Sequence, residues 1–258
     1  MSLQLHQDLF RYLLPDGLIR GSFIVLAGEG GSGKSVILAH IVRDVLSLGE
    51  PVLYLAFDDD PLTVLRQLSV FQIPVEKYCS EQLLGVIDGF SYTIRQRKGK
   101  AHSCVVDEVT PDNPDNVVNT LIKAAEQFRI ESRGLVVIDS LNEVMIMQDP
   151  ARFVLFVKSL RANIAKARGA VTIATLHTST SELRNYLLLV EHLVDGILET
   201  SDIPEELSAQ LSQVNVQVFV RQIRVFKMKG ASHRQGWFLY GIDREGVKPV
   251  VIKAIKSS

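Results

Sequence analysis

Apolar residues fall along the chain in short blocks separated by longer amphipathic stretches. The blocks at 22–27, 51–57, 83–88, 135–139 and 170–176 are nearly continuous, the pattern of parallel strands covered on both faces. Between them, apolar positions at helical spacing predict helices over 34–48, 61–72, 114–132 and 150–168. Gly49 stands just past the first of these as a stop signal, and Asn113-Pro114 has the form of an N-cap followed by proline at the first helical position. Strand alternating with helix implies right-handed crossovers and an α/β architecture, a central, mainly parallel sheet flanked by helices. The last quarter changes character. Stretches 214–228, 236–242 and 247–252 are β-rich, and the Asp243-Arg244-Glu245-Gly246 turn separates the last two, which predicts C-terminal antiparallel strands appended to the sheet. No repeat or low-complexity linker interrupts the pattern, so residues 1–258 are expected to form a single domain. Segments 91–116 and 201–213 are polar excursions, the second with helical character.

The first predicted strand runs into Gly28-Glu29-Gly30-Gly31-Ser32-Gly33-Lys34-Ser35, and the first helix follows at Val36. Strand, glycine-rich turn and helix together turn the G-x4-G-K-[ST] string into a phosphate-binding loop. Glycines let backbone amides converge on phosphate oxygens, and the helix N-terminus adds partial positive charge. Lys34 is placed to reach the outer phosphates and the Ser35 hydroxyl to ligate Mg2+. ATP and Mg2+ are therefore the expected cofactors, held on residues 28–36.

Two further elements fit a nucleoside triphosphate. The strand Leu135-Val136-Val137-Ile138 ends in Asp139-Ser140, presenting a carboxylate toward the metal. The strand after the first helix ends in Phe57-Asp58-Asp59-Asp60-Pro61. Asp60 before Pro61 suits a helix N-terminus. Asp58 or Asp59 could instead orient the water that attacks the γ-phosphate, and chemistry alone does not separate the two.

Composition narrows the partners. A net charge of -1 supplies no global basic field for nucleic acid. Arg95-Gln96-Arg97-Lys98-Gly99-Lys100 is the densest basic run; Arg95, Arg97, Lys98 and Lys100 are candidates for contact with a phosphate backbone, although such a run is more often a solvated surface loop. The two cysteines, Cys79 and Cys104, lack metal-ligand spacing and are expected as reduced thiols of a cytoplasmic protein. No apolar run has membrane-spanning length, so no membrane partner is expected.

These residues resemble the RecA superfamily and, within it, the KaiC-like group that includes archaeal RadA paralogues. Five elements carry the resemblance over nearly the whole chain. They are the lead-in Leu14-Pro15-Asp16-Gly17-Leu18-Ile19-Arg20-Gly21, the phosphate loop with the Asp58-Asp59 segment, Asp139-Ser140, Val190-Glu191-His192-Leu193-Val194-Asp195-Gly196-Ile197, and Lys227-Met228-Lys229-Gly230-Ala231-Ser232-His233. The resemblance implies a RecA-like P-loop NTPase core with ATP hydrolysis. It implies a homo-oligomer, hexamer or filament, in which Lys227, Lys229 and His233 reach a neighbour's triphosphate, the alternative being a solvated edge strand. His177 falls where related proteins sense the γ-phosphate. Loops 141–151 and 177–186 would face the axis of the assembly; the second carries Arg184 and Tyr186 as DNA-contact candidates, with a polar turn into a helix as the alternative. The expected function is an accessory ATPase that binds single-stranded DNA beside a RadA-type recombinase in recombination or repair. The alternative is a regulatory ATPase of signalling or archaellum-accessory type, in which ATP occupancy controls protein docking. Three departures stand out. Asp58 and Asp59 replace the group's paired glutamates and are a methylene shorter. Lys229 replaces an arginine and loses its forked donor. The first strand is predicted near residue 22, so the N-terminal DNA-binding domain of full RadA-type recombinases, and with it self-sufficient strand exchange, is not expected.

Overall fold

The computed structural model describes residues 2–94, 102–213, 219–243 and 246–250. A short antiparallel pair, β1 (Ser2–Leu3) and β2 (Leu18–Ile19), encloses helix α1 (Asp8–Leu13). Strand–helix alternation follows: β3 (Phe23–Gly28), α2 (Lys34–Ser47), β4 (Val52–Ala56), α3 (Pro61–Val70), α4 (Val75–Ser80), β5 (Leu84–Asp88), β6 (Val105–Glu108), α5 (Pro114–Gln127) and β7 (Leu135–Asp139). Next come α6 (Asn142–Met147), α7 (Pro150–Leu160) continuing as a π turn over Arg161–Lys166, β8 (Val171–His177), α8 (Ser181–Glu191), β9 (Gly196–Asp202) and α9 (Glu205–Gln213). Strands β10 (Phe219–Met228), β11 (Phe238–Asp243) and β12 (Gly246–Pro249) complete the described chain.

The large sheet has ten strands in the order β12-β11-β10-β9-β3-β8-β7-β4-β5-β6. Strands β9, β3, β8, β7, β4, β5 and β6 are parallel, and β10, β11 and β12 join antiparallel beyond β9. The expected parallel sheet with an antiparallel tail is what forms. Every residue of β3, β4 and β5 is buried because helices cover both faces. Alternate residues serve opposite cores: Ile24 and Leu26 pack with α2, whereas Phe23, Val25 and Ala27 pack with α5, α7 and α8.

Local signals set the boundaries. Gly49, at φ +70°, closes α2, with its amide on the Leu46 carbonyl and the Glu50 amide on the Val45 carbonyl. Asn113 caps α5 through the Asn116 amide, and Asp60 caps α3 through the amides of Leu62 and Thr63. The two cysteines correct the sequence expectation. Cys79, at the end of α4, and Cys104, just before β6, lie with Cα atoms 5.1 Å apart and form a disulfide. The fold brings them together because α4 packs on β5, whose neighbour is β6.

Candidate nucleotide-binding site

Ligands of open α/β sheets bind at the carboxyl ends of the strands, and that edge carries the phosphate loop here. The loop leaves β3 at Gly28 and enters α2 at Lys34. Gly28 is required by crowding, since a Cβ there would lie 2.6 Å from the Thr200 carbonyl and 2.7 Å from the Ser32 hydroxyl. Gly33 sits at φ +92°, where a Cβ would also lie 2.7 Å from the Tyr240 hydroxyl. Buried side chains support the loop from behind. The Ser32 hydroxyl pairs with Thr200 Oγ1 at 2.7 Å, and the Tyr240 hydroxyl donates to the Ser32 carbonyl at 2.7 Å. From β8's exit, the Thr178 amide donates to the Gly28 carbonyl at 3.1 Å, and the Gly30 amide donates to Ser179 Oγ at 3.2 Å.

The Lys34 ammonium is buried and donates to the carbonyls of Gly28 at 2.9 Å and Glu29 at 2.7 Å. Burial pulls its pKa down, and the charges of Asp139, Asp58 and Glu29 partly restore it. Asp139, at the end of β7, accepts from Tyr54 on one oxygen and Thr175 on the other, each at 2.5 Å. Burial nevertheless raises its carboxyl pKa, and the nearby Asp58 charge adds to the rise. An anion held at such cost fits a divalent cation, whose charge reverses that penalty. The exposed Ser35 hydroxyl at the first turn of α2 and the Asp139 carboxylate are the donors that fit Mg2+.

The three aspartates after β4 take separate places. Asp60 is the α3 cap. Asp59 accepts from Gln67 on the surface of α3 at 3.1 Å. Asp58 turns into the site, where Oδ1 accepts from the Ser140 amide at 3.1 Å and hydroxyl at 2.7 Å, and Oδ2 lies 2.9 Å from His177 Nε2. Burial opposes the Asp58 charge, but the hydrogen bonds from His177 and Ser140 outweigh it and hold its pKa below the usual range. His177 is the register partner of Gly28, so the histidine end of this pair lies one strand from the loop and Asp58 reaches it from the end of β4.

Other candidates lie away from this centre. Met228 pairs with Gly196, which pairs with Ile24, whereas the loop leaves β3 four residues later, about 13 Å along the strand. Lys227 and Lys229 therefore sit at the sheet edge opposite their own loop. There they donate to the Glu191 carbonyl at 2.5 Å and the His192 carbonyl at 3.4 Å, capping α8. His233 lies beyond them, 3.5 Å from the Ala231 carbonyl. Stretch 177–186 is helical from Ser181 rather than an extended loop, with Thr180 as its cap. Arg184 faces Glu199 at 3.8 Å, and the Tyr186 ring packs edge-on against Phe153. Arg95, Arg97, Lys98 and Lys100 lie outside the described residues.

Sequence reasoning did not single out Tyr54, Asn142, Thr175, Ser179, Thr200 and Tyr240. For Tyr54 and Thr175 a signal existed: a polar group inside an apolar strand is buried and needs a hydrogen-bond partner.

The sequence profile described as ATPase: KaiC matches residues 8–254. The chain belongs to the KaiC family of ATPases. As a KaiC-family member it is 26% identical over 245 residues to UPF0273 protein PF1931 of Pyrococcus furiosus, covering 95% of this chain and 92% of that one. It is 25% identical to a UPF0273 protein of Thermotoga maritima, covering 91% and 90%. Circadian clock protein KaiC2 of Synechocystis is 32% identical over 91 residues, 34% of this chain and 16% of that protein. Among solved structures, the KaiC-like protein PH0186 of Pyrococcus horikoshii shares this KaiC-type fold with a TM-score of 0.72 at 18% identity, covering 97% and 99% of the two chains. Among the described residues, no helix is long and apolar enough to cross a membrane.

Proposed function

We propose that this KaiC-family protein binds and hydrolyses Mg2+–ATP as one RecA-like unit, and that nucleotide occupancy controls docking to other proteins. The observation that carries the reading is the convergence of the phosphate loop and Lys34 with Asp58 and Asp139 at the ends of neighbouring strands. Loop amides and Lys34 hold the phosphates. Asp58 orients water for in-line attack, which cleaves the bond between the β,γ-bridging oxygen and the γ-phosphorus and leaves ADP and phosphate. Ser35 and Asp139 would hold Mg2+, which would supply charge neutralisation for the phosphates when bound. Lys227, Lys229 and His233 serve a second copy's triphosphate, because their own loop lies at the opposite sheet edge.

Protein docking is favoured over single-stranded DNA by what the strand ends carry. Helix α6 starts three residues after Asp139 and ends with Ile146 and Met147, 69% and 47% exposed. Of the DNA candidates, Tyr186 packs its ring against Phe153, and Arg184 has the acidic Glu199 as its neighbour at 3.8 Å. The narrower reading, a RadA paralogue acting on single-stranded DNA beside a recombinase, has less support for the same reason.

The test pairs ATP turnover, with and without single-stranded DNA at low and moderate salt, with hydrogen exchange of α6 with and without Mg2+–ATP. We expect turnover indifferent to DNA and altered exchange over 142–147. Turnover stimulated by DNA, with stimulation lost as salt rises, would replace protein docking with the DNA reading.

A further inference from the structure

Asp58 is a methylene shorter than the glutamate its place in the family suggests, and it does not stand alone. Its Oδ1 accepts from the Ser140 hydroxyl at 2.7 Å. The Ser140 hydroxyl in turn accepts from the Asn142 amide at 3.2 Å. The Asn142 side chain then grips the backbone of His177 at two points: Oδ1 accepts from the His177 amide at 2.8 Å, and Nδ2 donates to the His177 carbonyl at 3.2 Å. The His177 ring closes the circuit on Asp58 Oδ2 at 2.9 Å. The ring of hydrogen bonds joins the exits of β4, β7 and β8.

Asn142 is the member whose chemistry is otherwise unaccounted for. It is 6% exposed, on the first turn of α6, and both polar atoms of its amide are spent on one residue. A side chain that only ended β8 would need one such bond. Two bonds hold the peptide groups on both sides of the His177 Cα and so set the direction in which its Cβ leaves the strand. The imidazole then meets Asp58, and the carboxylate is locked between Ser140 and His177.

We infer that Asn142 is a positioning residue for ATP hydrolysis, setting His177 against Asp58 so that the short carboxylate is held at one angle toward the attacking water. This rests on the reading of Asp58 as the water-orienting group. A group held by neighbours with fixed rotamers loses little orientation when the substrate arrives, and small misplacements of such a group cost large factors in rate.

The test uses the full-length protein with Asn142→Ala, Asn142→Asp, Asp58→Asn and His177→Ala, plus the double variant Asn142→Ala/His177→Ala. Thermal melts are recorded for each, and rates are taken well below every midpoint. We expect Asn142→Ala to lower kcat on the order of tenfold or more, with ATP affinity and KM little changed. Asn142→Asp keeps the acceptor and loses the donor, and should fall between Asn142→Ala and the native chain. In the His177→Ala background, removing Asn142 should change kcat by less than about twofold, because its effect is routed through the imidazole. A kcat loss of the same size in both backgrounds marks a general structural role and overturns the inference, as does native kcat in Asn142→Ala. Failure of the underlying reading looks different: Asp58→Asn would then turn over ATP at the native rate whatever stands at 142.

Discussion

Three consecutive aspartates are chemically equivalent on paper, and their surroundings make them different residues. Asp60 satisfies helix amides, Asp59 bonds Gln67 at the surface, and Asp58 alone faces the site. Steady-state turnover should therefore fall on the order of a hundredfold or more in Asp58→Asn and stay within about twofold of native in Asp59→Asn. Comparable losses in both would mean that Asp59 also reaches the water. Lys34→Ala should abolish tight ATP binding by calorimetry, since it removes the cation placed beside the loop. Stability also depends on pH through these groups. The folded pKa of Asp58 is lowered, so its stabilisation is complete above the ordinary carboxylate range near about 4 and is lost as pH falls through the folded value. The acid-unfolding curve of Asp58→Asn should be correspondingly flatter. Asp139 has the opposite sign: its raised pKa means that the ionised form weakens the fold at neutral pH, and acidification relieves it. Without Mg2+, Asp139→Asn should melt no lower than native, and Mg2+–ATP should no longer raise its midpoint. A clearly lower midpoint would show that the hydrogen bonds from Tyr54 and Thr175 outweigh the buried charge.

Among the elements, the disulfide gives the most direct check. Cys79 and Cys104 close a loop that contains β5 and tether α4 to the strand at the sheet edge. A loop of this size is worth about 3 kcal/mol in the chain-entropy account, so reductant should lower the melting midpoint by several degrees. Thiol titration of the unfolded chain before reduction should find no free cysteine; two free thiols would return the protein to the sequence expectation. That expectation failed for a physical reason. Sequence spacing holds no information about a pairing made by α4 packing on β5 with β6 alongside. Strands β3, β4, β5, β7 and β8 were legible because each is a continuous apolar block, and α3 and α5 because Asp60-Pro61 and Asn113-Pro114 announce their starts; β6 and β9 were not, since Asp107-Glu108 and Glu199-Thr200-Ser201-Asp202 break their apolar runs. The phosphate loop was legible because its chemistry is contiguous in sequence. The circuit around Asp58 was not, since Ser140, Asn142 and His177 come together only when β4, β7 and β8 are set side by side. For stretch 177–186 the alternative reading, a polar turn into a helix, is what forms, with Leu187 and Val190 burying the helix's apolar face just beyond it.

For the whole molecule, the antiparallel extension decides where the late cations go. Strand β10 runs back along β9 and carries Lys227 and Lys229 to the edge opposite the phosphate loop. Mixing two inactive variants, Lys34→Ala and Lys227→Ala/Lys229→Ala, should restore turnover, since each contributes the half that the other lacks. Mixtures that stay inactive would return the lysines to the single task of capping α8. The same arrangement has a consequence for dosage. On the proposal that a second copy's lysines complete each site, the rate per molecule should drop on dilution rather than hold constant, and near the assembly threshold total output should climb more steeply than in proportion to the amount of protein made. Abundance would then act as an input alongside ATP: a cell that doubled its supply of this chain would more than double the activity.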